Sequence, residues 1–180
     1  MGRFLLVMMM IFGFVATARA QTKELTVVPS VDLQRYQGKW YEIARLPNRF
    51  QEQCVGNVVA SYTLRQDGKI TVINECKLVD GSTDRAEGIA RLADSSGPNS
   101  KLKVRFAPAF LSFLPFVWGD YWIIELASDY SYVLVGDPGR KYLWILARSS
   151  QIPDSTYQQL VEKARAQGFT VDRLVRTKQD

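Results

Sequence analysis

Gly38-Lys39-Trp40-Tyr41 is the stretch of this sequence that decides the fold. Residues 31–36 before it read as a short helical turn, and residues 42–46 after it read as an extended strand. A glycine two residues before a tryptophan is also typical of an ordinary turn followed by a core tryptophan. Our prediction is that Trp40 forms the floor of a closed β-barrel, and that later segments of the chain return to pack on it.

The first 20 residues have the pattern of a secretory signal peptide. A short basic start precedes an apolar run, residues 4–16, and an A-x-A cleavage site, residues 18–20. The run is shorter than the roughly 20 residues of a membrane span. Gln21 stands where a bacterial lipoprotein would carry its lipidated cysteine. We expect residues 1–20 to be a signal peptide and residues 21–180 to be a single exported domain.

Charge and residue usage exclude several classes of function. The signal peptide contains two arginines and no acid, so the formal net charge falls from +5 to +3 without it, too little to indicate nucleic-acid binding. Histidine, the most common general base and metal ligand, is absent from the sequence. We therefore expect neither a metal nor a cofactor.

Cys54 and Cys76 are the only cysteines in the sequence. Two cysteines in an exported chain usually form a disulfide, and free buried thiols are the alternative. Simple hairpin pairing about Asp67-Gly68 places Cys76 opposite Val59. A bridge therefore requires the residues just before the second strand to fold back.

From Trp40 onward the sequence reads as short strands separated by turn residues. Asp67-Gly68 between two β-rich runs predicts a hairpin. Residues 101–106 alternate strictly between apolar and basic side chains, which predicts one buried and one solvated face, although the basic row could also be a binding patch. The eight predicted strands are residues 42–46, 58–65, 70–78, 84–92, 101–106, 121–126, 132–136 and 142–148.

A single helix follows the strands, because apolar residues from Tyr157 to Ala164 recur at helical spacing after Pro153-Asp154. Residues 169–175 read as a last short strand. The last three of the eight strands are apolar on both faces, as strands covered on both sides are. The strand spacing fits a barrel or a sandwich, and the short connections favour antiparallel neighbours.

The direction of the strands determines which connections share an end of the molecule. If the first strand starts at the floor, the connection between the sixth and seventh strands and the end of the eighth strand also lie there. Asp129-Tyr130 and Arg148 occupy these positions. An arginine against an indole face contributes about 0.5–2 kcal/mol when partly desolvated. We therefore expect Arg148 to lie against Trp40.

These segments together resemble the motifs of the lipocalin family. Gly38-x-Trp40-Tyr41 matches the first motif, Ser128-Asp129-Tyr130 the second, and Ala147-Arg148 the third. The resemblance covers residues 30–175 and is greatest to the branch that contains bacterial lipocalin Blc and apolipoprotein D. It implies an all-β, eight-stranded antiparallel up-and-down barrel with a short N-terminal 3-10 turn, one α-helix packed outside, and a pocket for a small apolar ligand.

The same directions assign side chains to the barrel interior. If Trp40 and Arg148 point inward, alternate residues of the eighth strand do so too. The alternation leaves the sixth strand ambiguous, and the resemblance favours Trp122, Ile124 and Leu126 as its inward residues. Gly88 is small enough to leave room for a guest, whereas the alternative is an interior filled by side chains. The predicted ligand-binding residues are Val58, Ala60, Tyr62, Gly88, Ala90, Leu102, Val104, Phe106, Trp122, Ile124, Tyr142 and Trp144.

Residues 107–118 form an uncharged apolar loop at the predicted open end of the barrel. The loop is too short and too interrupted by proline to span a bilayer. It is expected to serve as a lid, a membrane contact or a homodimer contact, and the alternative is that it folds onto its own neighbours. Candidate partners for an anionic ligand headgroup at this end are Arg45, Arg49, Arg140 and Lys141.

The function that these features favour is carriage or storage of fatty acids or lysophospholipids in a bacterial cell envelope. We expect export to the periplasm, with association to the outer membrane left open. One alternative is a lipid-acting enzyme on the same fold, with Glu42, Glu75 or Glu125 as a buried carboxylate of raised pKa. Another is a membrane-interaction protein that uses residues 107–118. The missing histidine and the missing G-x-S-x-G motif favour a protein that is not an enzyme.

Overall fold

Eight antiparallel strands close into a barrel in the computed structural model, which describes residues 24–180. The predicted signal peptide lies outside the described residues. Each strand pairs with the next, and the first pairs with both the second and the eighth, so the predicted barrel is confirmed. The strands are β1 (Gly38–Arg45), β2 (Gly56–Leu64), β3 (Ile70–Lys77), β4 (Thr83–Leu92), β5 (Lys101–Arg105), β6 (Gly119–Leu126), β7 (Tyr132–Gly136) and β8 (Leu143–Ala147).

Two α-helices flank the barrel. α1 (Leu33–Tyr36) is a single α-helical turn, where a 3-10 turn was predicted, and the side chain of Asp32 caps it by accepting from two backbone N–H groups. α2 (Asp154–Ala166) follows the eighth strand, as predicted, and packs on the outside of the barrel. Within residues 24–180, the structure contains no helix long and apolar enough to cross a membrane.

Two separate apolar clusters hold these elements together. The outer cluster joins α2 to the outward side chains of β7 and β8, including Leu134, Leu143 and Ile145. The inner cluster fills the lower barrel around Trp40 and includes Val133 from β7 and Leu146 from β8. β7 and β8 are apolar on both faces because one face lines the barrel and the other lies under the helix.

The predicted last strand over residues 169–175 is largely wrong. A 3-10 turn (Val171–Arg173) precedes a two-residue strand, β9 (Val175–Arg176), which pairs with the end of β1. β1 and β2 stop pairing after Tyr41 and Val59, so their open-end backbone groups need other partners. The C-terminal residues 177–180 supply them; for example, Thr177 N donates to Ile43 O at 3.0 Å.

Cys54 and Cys76 form the predicted disulfide. The predicted register of the β2–β3 hairpin is wrong by one residue, because Val59 pairs with Glu75 and not with Cys76. The turn at Asp67-Gly68 contains one residue more than simple pairing assumes. A bulge also lies between Gly56 and Val59. The bulge brings the chain before β2 close to the end of β3, where the cysteines meet.

Candidate ligand-binding site

The floor of the barrel is a tryptophan with an arginine against it. Trp40 has no exposed surface, and the guanidinium carbon of Arg148 lies 3.9 Å from the centre of its indole ring. Arg148 also donates from Nη1 to Lys39 O at 2.9 Å and from Nη2 to Arg35 O at 2.7 Å. The arginine therefore joins β8, β1 and α1 beneath the indole, as the strand directions predicted.

The other residues of the first motif have separate roles. Gly38 has a φ of +91°, a conformation that favours glycine, and a Cβ there would lie 3.4 Å from Arg148 Nη1. Tyr41 faces outward, where Lys39 Nζ lies 4.6 Å from the centre of its ring. Glycine at position 38 is therefore favoured by the backbone conformation, whereas Tyr41 belongs to the outer wall.

The connection between β6 and β7 returns to the same floor. Tyr130 Oη accepts from the backbone N–H of Asp32 at 2.8 Å, and the guanidinium of Arg35 lies 4.0 Å from the centre of the Tyr130 ring. Asp129 accepts from the hydroxyl and the backbone N–H of Ser131, and these bonds lower the pKa of the carboxyl. The three predicted segments thus meet at one end, which the structure confirms.

Most of the predicted pocket residues face the barrel interior. Val104 and Trp144 pack against the inner cluster and keep partial exposure. Tyr142 stacks on Trp144 with 5.9 Å between ring centres, and Val58 is buried on β2. The predicted residues within the inner cluster itself are Ala60, Tyr62, Ala90 and Leu102.

The prediction for β6 is wrong for Trp122 and Ile124. Ile124 belongs to the outer cluster, and Trp122 packs against it. Tyr121 and Ile123 face the interior instead. β6 is apolar on both faces because its other side is also covered, so alternation could not identify the inner face, and a register shift between Ile123 and Glu125 changes the alternation further along.

Gly88 leaves space inside the barrel, but this space is taken by a side chain of the protein and not left for a ligand. A Cβ at Gly88 would lie 2.7 Å from Phe106 Cδ1 and 2.7 Å from Arg105 O. Phe106 therefore occupies the space over Gly88, and 42% of its surface remains exposed near the open end. The expectation that Gly88 leaves free volume is wrong in this state, because the Phe106 ring fills that volume.

Three tyrosine hydroxyls form a chain above the floor. Tyr121 Oη lies 2.7 Å from Tyr36 Oη and 2.9 Å from Tyr62 Oη. Burial raises the pKa of Tyr62 to about 12, and it raises the pKa values of Tyr36 and Tyr121 well above the usual 10. All three phenols are thus uncharged hydrogen-bonding groups at neutral pH. No local sequence pattern indicates this set, because its members come from α1, β2 and β6.

A buried polar network lies nearer the open end. Glu42 is 2% exposed and accepts from Arg45 Nη1 at 2.9 Å, from Gln51 Nε2 at 2.6 Å, and from the hydroxyl of Thr177. Gln51 Oε1 in turn accepts from Trp144 Nε1 at 3.0 Å. The network fixes the indole of Trp144 at the pocket wall. It also means that Arg45 is already paired with a buried carboxylate.

The other candidate carboxylates lie on the surface. Glu75 is near Arg85, with 3.9 Å between the closest charged atoms, and Glu125 pairs with Lys163 of α2 at 2.9 Å. Their side chains are 40% and 30% exposed. The predicted burial alone is therefore confirmed for Glu42, and it is wrong for Glu75 and Glu125.

The candidate headgroup partners differ in their availability. Arg140 is engaged by backbone carbonyls, donating from Nε to Gln167 O at 3.0 Å and from Nη1 to Pro138 O at 2.6 Å. Arg49 and Lys141 are exposed, and each lies near an aromatic ring. A surface cleft of about 360 Å³ beside the connection between β1 and β2 is lined by Arg45, Pro47, Asn48, Arg49, Gln51, Glu52, Arg173 and Val175.

The apolar loop, residues 107–118, projects from the open end. Its base is held by Arg105, which is buried and donates to the carbonyls of Ala107 and Pro108. Its tip carries Phe110, Phe113 and Phe116, which are 75%, 77% and 80% exposed. The loop therefore does not fold its phenylalanines onto its own neighbours.

A closed antiparallel barrel with one sealed end and an apolar cluster above that end is an architecture that suits the binding of small apolar molecules. The chain belongs to the lipocalin family, since the model of the lipocalin-like domain matches residues 31–179. This family binds small hydrophobic ligands.

Similar proteins come from plants, bacteria and mammals. Temperature-induced lipocalin-1 of Arabidopsis thaliana is 44% identical over 160 residues, covering 88% of this chain and 85% of that protein. Outer membrane lipoprotein Blc of Escherichia coli K12 is 40% identical, with coverages of 84% and 81%. Apolipoprotein D of Cavia porcellus is 30% identical, with coverages of 99% and 96%.

Solved structures agree with the fold. Insecticyanin from the tobacco hornworm Manduca sexta superposes with a TM-score of 0.68 over 89% of this chain and 87% of that one. Its sequence identity is 18%, so this similarity bears on the fold alone. The predicted family and architecture are thus both confirmed.

Proposed function

We propose that this lipocalin carries or stores ligands with one long acyl chain, such as fatty acids or lysophospholipids. The observation that carries the proposal is a barrel sealed by Trp40 and Arg148 whose inward residues above the floor include apolar side chains that keep partial exposure, Val104 and Trp144 among them. Ten buried methylenes supply about 8 kcal/mol, and the costs of ordering and desolvation reduce this to about micromolar affinity.

The charges at the open end support an anionic headgroup there. Arg49 and Lys141 are exposed cations in two open-end loops, and Arg173 lines the cleft beside Arg49. The chain end of the ligand would lie toward Trp40, and its carboxylate or phosphate would remain in water near these cations. This orientation avoids burying a charge inside an apolar barrel.

Two features support export to an oxidising compartment, which we propose to be the bacterial periplasm. The Cys54–Cys76 disulfide is of a kind that persists in such compartments and is rare in the cytosol. Residues 1–20 have the composition of a signal peptide. The Escherichia coli relative is named an outer membrane lipoprotein, which fits an envelope setting.

Filling the pocket should abolish ligand binding. Val104→Trp adds a large side chain inside the barrel, so we expect the affinity for dodecanoic acid to fall at least about tenfold. The measurement is displacement of a fluorescent fatty acid, together with mass spectrometry of lipids extracted from the purified protein. Ile89→Trp is the matched control, because Ile89 lies on the outer face of β4, one residue from inward-facing Ala90.

The two variants give distinct readings of the carrier proposal. Both should unfold cooperatively, which circular dichroism during urea denaturation would establish. Equal fatty-acid affinity in the Val104→Trp variant and the wild type would contradict binding inside the barrel. Loss of affinity in the Ile89→Trp variant alone would place the ligand on the outer surface.

The exposed loop supports a second role as a membrane contact. Aromatic side chains that project from a rim partition into the headgroup region of a bilayer. Phe110→Ser, Phe113→Ser and Phe116→Ser combined should weaken binding to phosphatidylcholine vesicles at least about tenfold, measured by co-sedimentation. Val79→Ser is the control, since Val79 is 87% exposed but lies in another loop. Unchanged vesicle binding together with loss of a dimer in ultracentrifugation would identify the loop as a homodimer contact.

A further inference from the structure

We propose that the floor of the pocket presents a hydrogen-bond donor to an uncharged oxygen of the ligand, and that the linked hydroxyls of Tyr36, Tyr62 and Tyr121 supply it. This inference rests on the proposed function, because it assigns a second recognition element to the same cavity. It concerns the end of the ligand that enters first, not the headgroup at the rim.

A count of protons shows that one donor is left over. Three phenols bring three O–H protons, and the contacts of 2.7 Å and 2.9 Å to Tyr121 use two of them, whichever direction each bond runs. Within residues 24–180 no other group bonds to these hydroxyls. One phenol proton is therefore without an acceptor, and a buried donor without a partner is costly.

The position of the chain indicates where the acceptor must come from. Tyr36 and Tyr62 are 1% and 6% exposed, so bulk water does not reach them. Tyr36 lies 5.0 Å from the Trp40 ring centre, which places the chain at the floor. Tyr121 keeps partial exposure while it packs against the inner cluster. The acceptor therefore enters through the barrel interior, as part of a ligand or as a trapped water molecule.

The charge distribution favours a neutral oxygen over a carboxylate. The phenols stay protonated at neutral pH, so they donate but add no positive charge. Among the described residues the buried charged side chains are Glu42 and Arg105, and both are engaged elsewhere. Arg148 lies against the indole of Trp40, and its guanidinium donates to two backbone carbonyls. A carboxylate at the floor would lack a counter-charge, whereas a hydroxyl or ketone oxygen would not need one.

The consequence is selectivity for a chain that carries oxygen at its far end. A hydroxyl placed in a wholly apolar pocket weakens binding by about tenfold or more, because it loses its hydrogen bonds to water. At this floor the spare phenol proton replaces one of those bonds, and a phenol oxygen can accept another. A terminally hydroxylated fatty acid should therefore bind at least as tightly as its unmodified parent.

The experiment measures how well dodecanoic acid and 12-hydroxydodecanoic acid displace a fluorescent fatty acid. Longer and shorter acids are compared with their terminally hydroxylated counterparts in the same way. In the wild type, the hydroxylated acid should match or exceed its parent at the best chain length. Combining Tyr36→Phe, Tyr62→Phe and Tyr121→Phe removes all three hydroxyls at once, so no hydroxyl is left without its partner. This variant should bind the hydroxylated acid about tenfold more weakly while keeping its affinity for the parent. Tyr132→Phe makes the same chemical change beside the outer cluster and should alter neither.

Each outcome decides the proposal. If the wild type binds the hydroxylated acid more weakly at every chain length, this inference is overturned, because the ligand then does not accept the spare phenol proton. The carrier function would still stand. Displacement by neither acid overturns the carrier function and this inference together. An unchanged ratio of affinities in the triple variant overturns the role of the phenols. If that variant does not fold, the wild-type comparison decides alone.

Discussion

Replacing Trp40 with alanine should lower the free energy of unfolding by about 3–5 kcal/mol. The indole is fully buried, donates from Nε1 to Tyr36 O at 2.9 Å and carries the guanidinium of Arg148 on its face. Alanine leaves a cavity between α1, β1 and β8 that these elements cannot close without separating. Urea denaturation monitored by circular dichroism measures the loss.

Trp118→Ala provides the control for this substitution. Trp118 is also an indole beside arginine side chains, Arg91 at 4.5 Å and Arg105 at 5.2 Å, but it lies at the end of the apolar loop. We expect less than half of the loss seen for Trp40, because the loop can adjust in water. Equal losses in the two variants would contradict the role of Trp40 as the floor of the fold.

The floor could be predicted from the sequence because strand counting is insensitive to small errors. Eight antiparallel strands place Asp129-Tyr130 and Arg148 at the end where Trp40 lies, even if each boundary moves by a few residues. The observed boundaries do move, since β1 starts at Gly38 and β8 ends at Ala147. The predicted contact between Arg148 and Trp40 nevertheless forms.

The identity of the inward residues could not be predicted where both faces of a strand are apolar. Trp122 and Tyr121 are adjacent, and only the position of the outer cluster decides which of them faces the ligand. On β5, by contrast, basic residues alternate with Leu102 and Val104, so the inward face could be assigned correctly. The other face is not solvated along its whole length, because Arg105 is buried and donates to carbonyls of the apolar loop.

Contacts between residues far apart in the sequence could not be predicted either. Tyr121 meets Tyr36 and Tyr62 over separations of 85 and 59 residues, and no spacing rule links α1, β2 and β6. The same holds for Thr177, which reaches Glu42 across 135 residues. Both contacts depend on how α1 and the C-terminal segment pack against the closed sheet, which local sequence patterns do not encode.

Replacing Arg45 with methionine should destabilise the protein by about 3 kcal/mol, although methionine retains most of the buried side-chain volume. The side chains of Arg45 and Glu42 are 14% and 3% exposed, and their charged atoms are 2.9 Å apart. Without Arg45, a carboxylate inside the protein keeps two neutral donors, Gln51 and Thr177, but no counter-charge. Urea denaturation at neutral pH measures this cost.

The double variant Glu42→Gln/Arg45→Met separates the lost pair from lost packing. Removing both charges leaves neutral groups that Gln51 and Thr177 can still contact, so most of the lost stability should return. The fluorescence of Trp144 gives a second reading, because Gln51 joins its indole to Glu42. Equal destabilisation in the single and double variants would contradict this pairing. It would mean that Arg45 stabilises the protein through its packing and not by neutralising the charge of Glu42.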